Sequence, residues 1–349
     1  MTKKLLATSA LFSTLALAGT SLAQTTITGS LDLTLRNTNH SAGSGALSET
    51  SMGRESQINI ANKGKLNNGL DYAAGFSLEF DARQTESAAV DRSISNEGVY
   101  INLISGGTTF HAGIDWMQNA KQDLLGSVGD IIDEVGAGVV SGVKLNYLGS
   151  SPKESIGGGI LHNFGNGITA SALYVPNDGN TGVGNNGEGT INSTGSNSAY
   201  EVGIRGANVA NSGISFDLWR NDKESVTPSS RTVRDTQGTA AAINYSKAPF
   251  GIGFAHQKTE TAVVGSDTKS KMGHVSYAID KNLTASLVYV KTDDTTSTST
   301  ADEKIKSLML GYNFGPVGLL VTASRIENIG ALSAGGDVDA LGISLNTKF

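Results

Sequence analysis

Apolar and polar residues alternate strictly along many short segments of this chain. The clearest case is residues 70–81, in which every second side chain is apolar: Leu70, Tyr72, Ala74, Phe76, Leu78 and Phe80. Residues 26–36 repeat the pattern, and shorter examples surround Phe216, Tyr277 and Leu287. Successive side chains of a strand point to opposite faces, so the pattern predicts strands of about ten residues with one apolar face and one polar face.

The connections between these segments come in two lengths that alternate along the chain. Short ones such as 67–69 and 165–167 carry the Asn and Gly residues of tight turns, and long ones include 37–54 and 177–197. This layout predicts an antiparallel barrel with turns at one end and long loops at the other. Counting the segments predicts about sixteen strands, with residues 143–164 treated as one interrupted strand.

The N-terminal segment has the pattern of an export signal. Lys3 and Lys4 precede an apolar run from Leu5 to Leu17, and small residues at Ser21 and Ala23 precede the predicted cleavage site. The apolar run is shorter than the roughly 20 residues that a helix needs to cross a bilayer. We therefore predict a signal peptide in residues 1–23 and a single barrel domain in residues 24–349.

Composition favours a membrane barrel over two soluble domains. The chain has 44 Gly, only 5 Pro, no Cys and a hydrophobic fraction of 38%, which fits many strands with one apolar face. No segment after residue 23 is long and apolar enough for a spanning helix, so a membrane could be crossed only by a closed sheet. The formal charge is −6, and losing residues 1–23 removes two lysines and no acid, leaving −8. Without a basic patch, nucleic acid is not an expected partner.

Candidate catalytic and metal-binding chemistry is sparse. The five histidines are scattered with no metal-ligand spacing, and no nucleophile lies in a recognisable elbow. We therefore expect no cofactor, no metal and no enzymatic activity. His111 alternates with Phe110 and Ala112, which predicts that its side chain faces the barrel interior.

Two internal segments and the C-terminus resemble the trimeric general diffusion porins of Gram-negative bacteria. Residues 55–70 resemble the second strand, turn and third strand of that family, and residues 99–113 resemble its fourth and fifth strands. The chain ends with apolar residues on one face and Phe349 last, similar to the signal read by the barrel-insertion machinery. It departs from the family at three positions: Gln57 and Ile114 stand at or near family arginines, and Thr347 replaces an aromatic residue.

The resemblance implies an all-β fold: a transmembrane antiparallel β-barrel of about sixteen strands with a constriction loop folded into the lumen. It further implies a homotrimer in the cell outer membrane that lets small hydrophilic solutes and ions diffuse passively through a water-filled pore. The loop corresponding to the family's constriction loop is residues 116–142.

The resemblance also assigns candidate site residues. The acidic constriction loop would contribute Asp123, Asp130, Asp133 and Glu134, and the facing basic wall would contribute Arg36, Lys63, Arg83 and Lys144. Opposed charges in a narrow pore focus the electric field and govern which ions pass. Two family arginines are missing, so a mild cation preference is predicted. The alternative is an ordinary solvated loop and rim charges that bind lipopolysaccharide.

Other partners and rival functions stay open at this point. Expected partners are lipopolysaccharide and outer-membrane lipid, together with the insertion machinery acting on Phe349. A substrate-selective porin would need an aromatic track or a strongly basic constriction, neither of which is visible. An outer-membrane enzyme would need an assembled triad, and an adhesin would need a passenger domain. A soluble β-repeat protein would need a fixed internal period.

Overall fold

A computed structural model describes residues 23–40, 49–84, 94–114, 156–176, 198–227, 232–261, 267–294, 301–328 and 336–349. These residues form one closed antiparallel barrel in which each strand pairs with the next and the last pairs with the first. The strands are β1 (Gln24–His40), β2 (Glu49–Lys65), β3 (Asp71–Gln84), β4 (Ile94–Ser105), β5 (Thr108–Ile114), β6 (Ile156–Gly165), β7 (Ile168–Val175), β8 (Ala199–Gly206), β9 (Ile214–Thr227), β10 (Thr232–Lys247), β11 (Phe250–Thr261), β12 (Thr268–Ala278), β13 (Leu283–Asp294), β14 (Glu303–Asn313), β15 (Val317–Glu327) and β16 (Val338–Lys348).

The fold class and the strand number predicted from the sequence are confirmed. One 3-10 turn, Val209–Asn211, separates β8 from β9, and no helix of the described part is long and apolar enough to cross a membrane. Short connections join β2 to β3, β4 to β5 and each later pair of this kind at one end of the barrel. Residues 143–155, which precede β6, lie outside the described residues.

The strands at the start of the chain are longer than their apolar pattern predicts. β1 and β2 each have 17 residues, and their pairing continues to Thr38 opposite Glu49. The predicted loop 37–54 is therefore too long, and Arg36 lies inside β1 instead of at its end. The alternation of apolar and polar residues marks only the part of each strand that faces lipid. The hydrogen-bond ladder between the strands continues through polar residues beyond that part.

The outward faces of the strands form an apolar surface. Large hydrophobic side chains that remain exposed include Leu33, Phe76, Ile243, Phe254 and Leu287. The cross-strand register places such residues side by side, because opposed residues of paired strands share a face. The barrel thus has an apolar exterior suited to lipid, as the sequence predicts.

The two ends of the sheet meet at Gly29 and Phe349. Their backbones exchange two hydrogen bonds, Gly29 N to Phe349 O at 2.8 Å and Phe349 N to Gly29 O at 3.0 Å. The phenyl ring lies over the glycine, since a Cβ at Gly29 would overlap Cζ of Phe349. Phe349 therefore extends the closing ladder of the barrel by one residue.

Part of the barrel interior is apolar. On the inner face of β9 to β14 a buried cluster, here called the apolar inner wall, consists of Trp219, Ala240, Ala242, Ala255, Met272, Val288, Val290 and Met309. Buried polar residues such as Asn221, Ser270 and His274 lie on the same face. Trp219 lies over Gly203 of β8, where a Cβ would overlap Cε3 of the indole. Because Gly203 has no side chain, it leaves room for the Trp219 indole, the largest side chain of the apolar inner wall, to lie flat against β8.

Gly203→Ala should lower the free energy of unfolding by about 1–3 kcal/mol, because the new methyl group displaces the Trp219 indole from a packed wall. Equilibrium unfolding of the refolded barrel in lipid measures the change. Gly311→Ala in β14 is the matched control, because its Cβ meets no atom within 4 Å. Equal costs for both substitutions would show that the indole does not need the space at Gly203.

Candidate pore wall

Three carboxylates lie together on the inner face of β1, β2 and β3. Asp32 of β1 stands directly opposite Glu55 of β2, and Glu79 of β3 pairs with Gln57, two residues along β2 from Glu55. Directly opposed Cβ atoms are about 4.5–5.5 Å apart and diagonal neighbours about 7–8 Å apart. The three groups therefore share one patch of negative charge, here called the acidic wall.

A chain of hydrogen bonds between side chains runs along the same face. Ser77 Oγ donates to Asn59 Oδ1 at 2.6 Å, and Asn59 Nδ2 donates to Gln57 Oε1 at 3.3 Å. Gln57 Nε2 in turn donates to Glu79 Oε2 at 3.4 Å. These residues alternate with the lipid-facing ones, so the strand pattern that covers the exterior with apolar groups gives the interior a continuous polar surface.

The long-loop half of β1 continues this polar surface. Thr34, Arg36 and Thr38 are buried on its inner face, and Arg36 pairs in register with Ser51 of β2 and Gly342 of β16. Only 6% of Arg36 is exposed. Arg36 is four residues along β1 from Asp32, a backbone separation of about 13 Å, so the two signs of charge are separated along this strand.

Polar residues line two further parts of the interior. His111 of β5 is buried, and its Nδ1 lies 2.8 Å from Oδ1 of Asn102 on β4. The structure thus confirms that His111 faces the interior. On β8 and β9, Arg205 and Asp217 form an ion pair beside Trp219. The wall that spans β1 to β5 is therefore polar, whereas the inner face of β9 to β14 combines the apolar inner wall with buried polar residues.

The predicted basic residues are distributed along the barrel. Arg36 faces the interior, and Lys63 faces it near the short-turn end, opposite Ala73. Arg83 lies in β3, but its side chain is outside the described part. The predicted acidic loop residues Asp123, Asp130, Asp133 and Glu134, and also Lys144, lie outside the described residues.

The acidic wall itself was missed by the sequence prediction of site residues. Asp32 and Glu79 alternate with apolar residues, which is a sufficient signal that they face inward. Their proximity to Glu55 depends on the pairing register, which alternation alone does not give. In the described part of the chain no group of three His, Cys, Asp or Glu residues is arranged to hold a metal ion.

A closed barrel with an apolar exterior and a polar strip along its interior is the architecture of a membrane channel. The family comparison agrees with this class. Residues 7–346 match the model of the Gram-negative porins, which is nearly the whole chain. The chain belongs to that family, and it is an outer-membrane channel for diffusion.

Solved porin structures have the same fold. The anion-selective porin from Comamonas acidovorans aligns with a TM-score of 0.61 and 14% identity, over 94% of this chain and 100% of that one. Substituted variants of Rhodopseudomonas blastica porin align with TM-scores of 0.56 at 13–14% identity, over 93% of this chain and 100% of theirs. A search of curated proteins found no significant match. At these identities the structural likeness concerns the fold alone.

Proposed function

We propose that this porin is a passive, non-enzymatic channel for small hydrophilic solutes and ions, with a modest preference for cations. The observation that carries the preference is the acidic wall: Asp32, Glu55 and Glu79 lie together on the polar half of the interior. Gln57, which stands where the resembling porins have an arginine, adds no positive charge to this surface.

The proposed cation preference depends on the charges that line the pore. A pore with low-dielectric walls concentrates the field of the charges that line it, so nearby groups outweigh the charge of the whole protein. Salt screens interactions beyond about 10 Å at 0.1 M ionic strength. Arg36 and Lys63 reduce the preference without reversing it, because they lie away from the three carboxylates along the strands.

The conducting path is proposed to follow the polar wall of β1 to β5. Ions and hydrated solutes lose hydration energy beside apolar groups such as those of the apolar inner wall. The acidic loop would add further negative charge to the lumen if it enters the pore as in the resembling porins; its residues are Asp123, Asp130, Asp133 and Glu134.

The alternative hypothesis is a preference for anions, which the name of the anion-selective porin from Comamonas acidovorans suggests. A shared fold at 14% identity does not transfer the charges of a lumen, which are set by individual side chains. The sign of the preference in this chain is therefore inferred from its own acidic wall.

Residues 1–23 are proposed to be removed on export, leaving the barrel domain 24–349. The mature barrel is proposed to form a homotrimer, to contact lipopolysaccharide and outer-membrane lipid, and to be recognised by the insertion machinery through Phe349.

The wild-type pore should give a zero-current potential of the cation-selective sign in a potassium chloride gradient. Replacing Asp32, Glu55 and Glu79 together by Asn, Gln and Gln should move that potential toward the anion side, because the acidic wall loses three charges. The shift should shrink at 1 M salt, where screening reaches about 3 Å. Planar-bilayer recording of the refolded protein measures both quantities.

A triple variant of equal composition is the control. Asp222, Glu260 and Glu327 lie on the outer face of the barrel near the long-loop end, and neutralising them removes the same charge from outside the lumen. The control should change the potential much less. An anion-selective wild type, or equal shifts for the two triple variants, would overturn the role of the acidic wall.

A further inference from the structure

Small side chains form a patch on the inner face of β10 and β11, within the apolar inner wall. This patch, here called the small-residue floor, consists of Ala240 and Ala242 of β10 and Gly253 and Ala255 of β11. Larger side chains stand on both sides of it. Trp219 of β9 lies opposite Ala240, and Met272 of β12 lies opposite Ala255. The small-residue floor is therefore a depression between two taller neighbours.

Three polar side chains stand at the edges of the small-residue floor. Asn244 of β10 and His274 of β12 both pair with Gly253, one on each side, and Gln257 lies at the other end, opposite Ala240. Only 6% of His274 is exposed. Within the described part of the chain, Oδ1 of Asn244, Oε1 of Gln257 and Nδ1 of His274 are buried and form no hydrogen bond. Leaving buried polar atoms unpaired costs free energy, so this arrangement favours a ligand that supplies hydrogen bonds.

The register fixes the spacing of the three polar residues. Asn244 and His274 are two strands apart, which places their backbones about 10 Å from each other. Gln257 is four residues along β11 from Gly253, a backbone separation of about 13 Å. One molecule the size of a disaccharide can therefore contact all three side chains at once.

The chemistry of these edges favours a neutral ligand that carries hydroxyl groups. The amide oxygens of Asn244 and Gln257 only accept hydrogen bonds, and a neutral imidazole has one accepting nitrogen. The charged residues beside the floor, Arg205 and Asp217, neutralise each other in an ion pair. An ion would lose hydration here without gaining a counter-charge, whereas hydroxyl groups donate to the three acceptors without bringing any charge.

We propose that the inner face of β9 to β12 binds one neutral polyhydroxylated solute, a small sugar or polyol, whose hydroxyl groups donate to Asn244, Gln257 and His274. The C–H groups of the solute pack on the small-residue floor beside Trp219, because a few polar groups around an apolar surface fix the orientation of a ligand. This site rests on the proposed diffusion channel, since the solute reaches it through the lumen. It lies across the barrel from the acidic wall, so neutral solutes and cations pass beside different surfaces.

The test measures the binding of maltose to the refolded barrel, residues 24–349, by tryptophan fluorescence. The chain has two tryptophans, so Trp116→Phe leaves Trp219, beside the floor, as the reporter. Maltose should change the fluorescence saturably in this background. Replacing Asn244 and Gln257 by Leu removes two acceptors and should weaken binding about tenfold, which corresponds to about 1.4 kcal/mol.

A second variant and a matched control locate the site. Ala255→Phe fills the floor without removing a polar group, and it should also weaken binding. The control makes the same changes of residue type on the outer face, Asn62→Leu and Gln237→Leu, where these amides bond to Tyr72 and Arg220. It should bind maltose like the wild type, and a heat-dependent shift in electrophoretic mobility shows that each variant is folded. Unchanged binding in both site variants would overturn the site.

Competing solutes identify the class of ligand. Sorbitol, a neutral polyol, should displace maltose, and glycine betaine, which has no hydrogen-bond donor, should not. Equal displacement by glycine betaine, or no saturable fluorescence change with maltose, would overturn the assignment. The double variant of Asn244 and Gln257 should keep the conductance and the zero-current potential of the wild type, and the triple variant of the acidic wall should bind maltose normally. These two results separate failure of this site from failure of the proposed channel and its ion preference.

Discussion

Phe76→Arg should lower the free energy of unfolding of the barrel by about 2–4 kcal/mol, the cost of a cationic side chain facing lipid near the bilayer midplane. Phe76 is exposed on the outer face of β3, within an apolar run that extends from Tyr72 to Phe80, and it pairs with Ile60 of β2. Reversible unfolding of the refolded protein in lipid vesicles measures this energy.

Ser77→Arg is the control, one residue away on the opposite face. Ser77 points into the interior, where its hydroxyl donates to Asn59. Losing this hydrogen bond should cost about 0.5–1.5 kcal/mol, and the new charge can remain hydrated in the lumen. If the two arginine variants lose equal stability, the inward and outward faces of β3 are assigned incorrectly.

Removal of Phe349 should reduce the amount of folded barrel in the outer membrane. The deletion abolishes the two backbone hydrogen bonds with Gly29 that close the sheet, each worth about 0.5–1.5 kcal/mol. It also uncovers Gly29, over which the phenyl ring lies. The fraction of protein that shows a heat-dependent shift in electrophoretic mobility measures folded barrel, and export to the periplasm should stay normal.

Two substitutions separate the contributions of the backbone and the ring. Phe349→Ala keeps the backbone pairing with Gly29 and should have a smaller effect than the deletion. Phe314→Ala removes another exposed aromatic side chain, in the turn between β14 and β15, and should leave assembly unchanged. Wild-type amounts of folded barrel after deletion of Phe349 would contradict its role in closure and assembly.

The exterior of the barrel could be predicted from the sequence because it depends on a period of two. Residues 70–81 alternate so strictly that the outward positions of β3 follow from the chain alone. The extent of β1 could not be predicted in this way. Beyond Leu35 the alternation of apolar and polar residues ends. Only the pairing with β2 and β16 shows that Arg36 and Thr38 remain in the strand.

The apolar inner wall was not expected from the alternation, which predicts a polar inner face. In β13 the alternation around Leu287 predicts that this side chain faces outward, but Val288 and Val290 on the other face are apolar as well. The structure turns Leu287 outward at 62% exposure and Val288 inward at 4%. The acidic wall depends similarly on register, because Asp32 and Glu55 are 23 positions apart and meet only through the pairing of β1 with β2.

Single-channel recording of the refolded barrel, residues 24–349, in a planar lipid bilayer tests directly whether this barrel is an open, water-filled pore. We expect discrete conductance steps with a linear current–voltage relation, and a zero-current potential with the sign and salt dependence proposed for the acidic wall. A folded, heat-modifiable barrel that inserts into the bilayer and carries no current would contradict it.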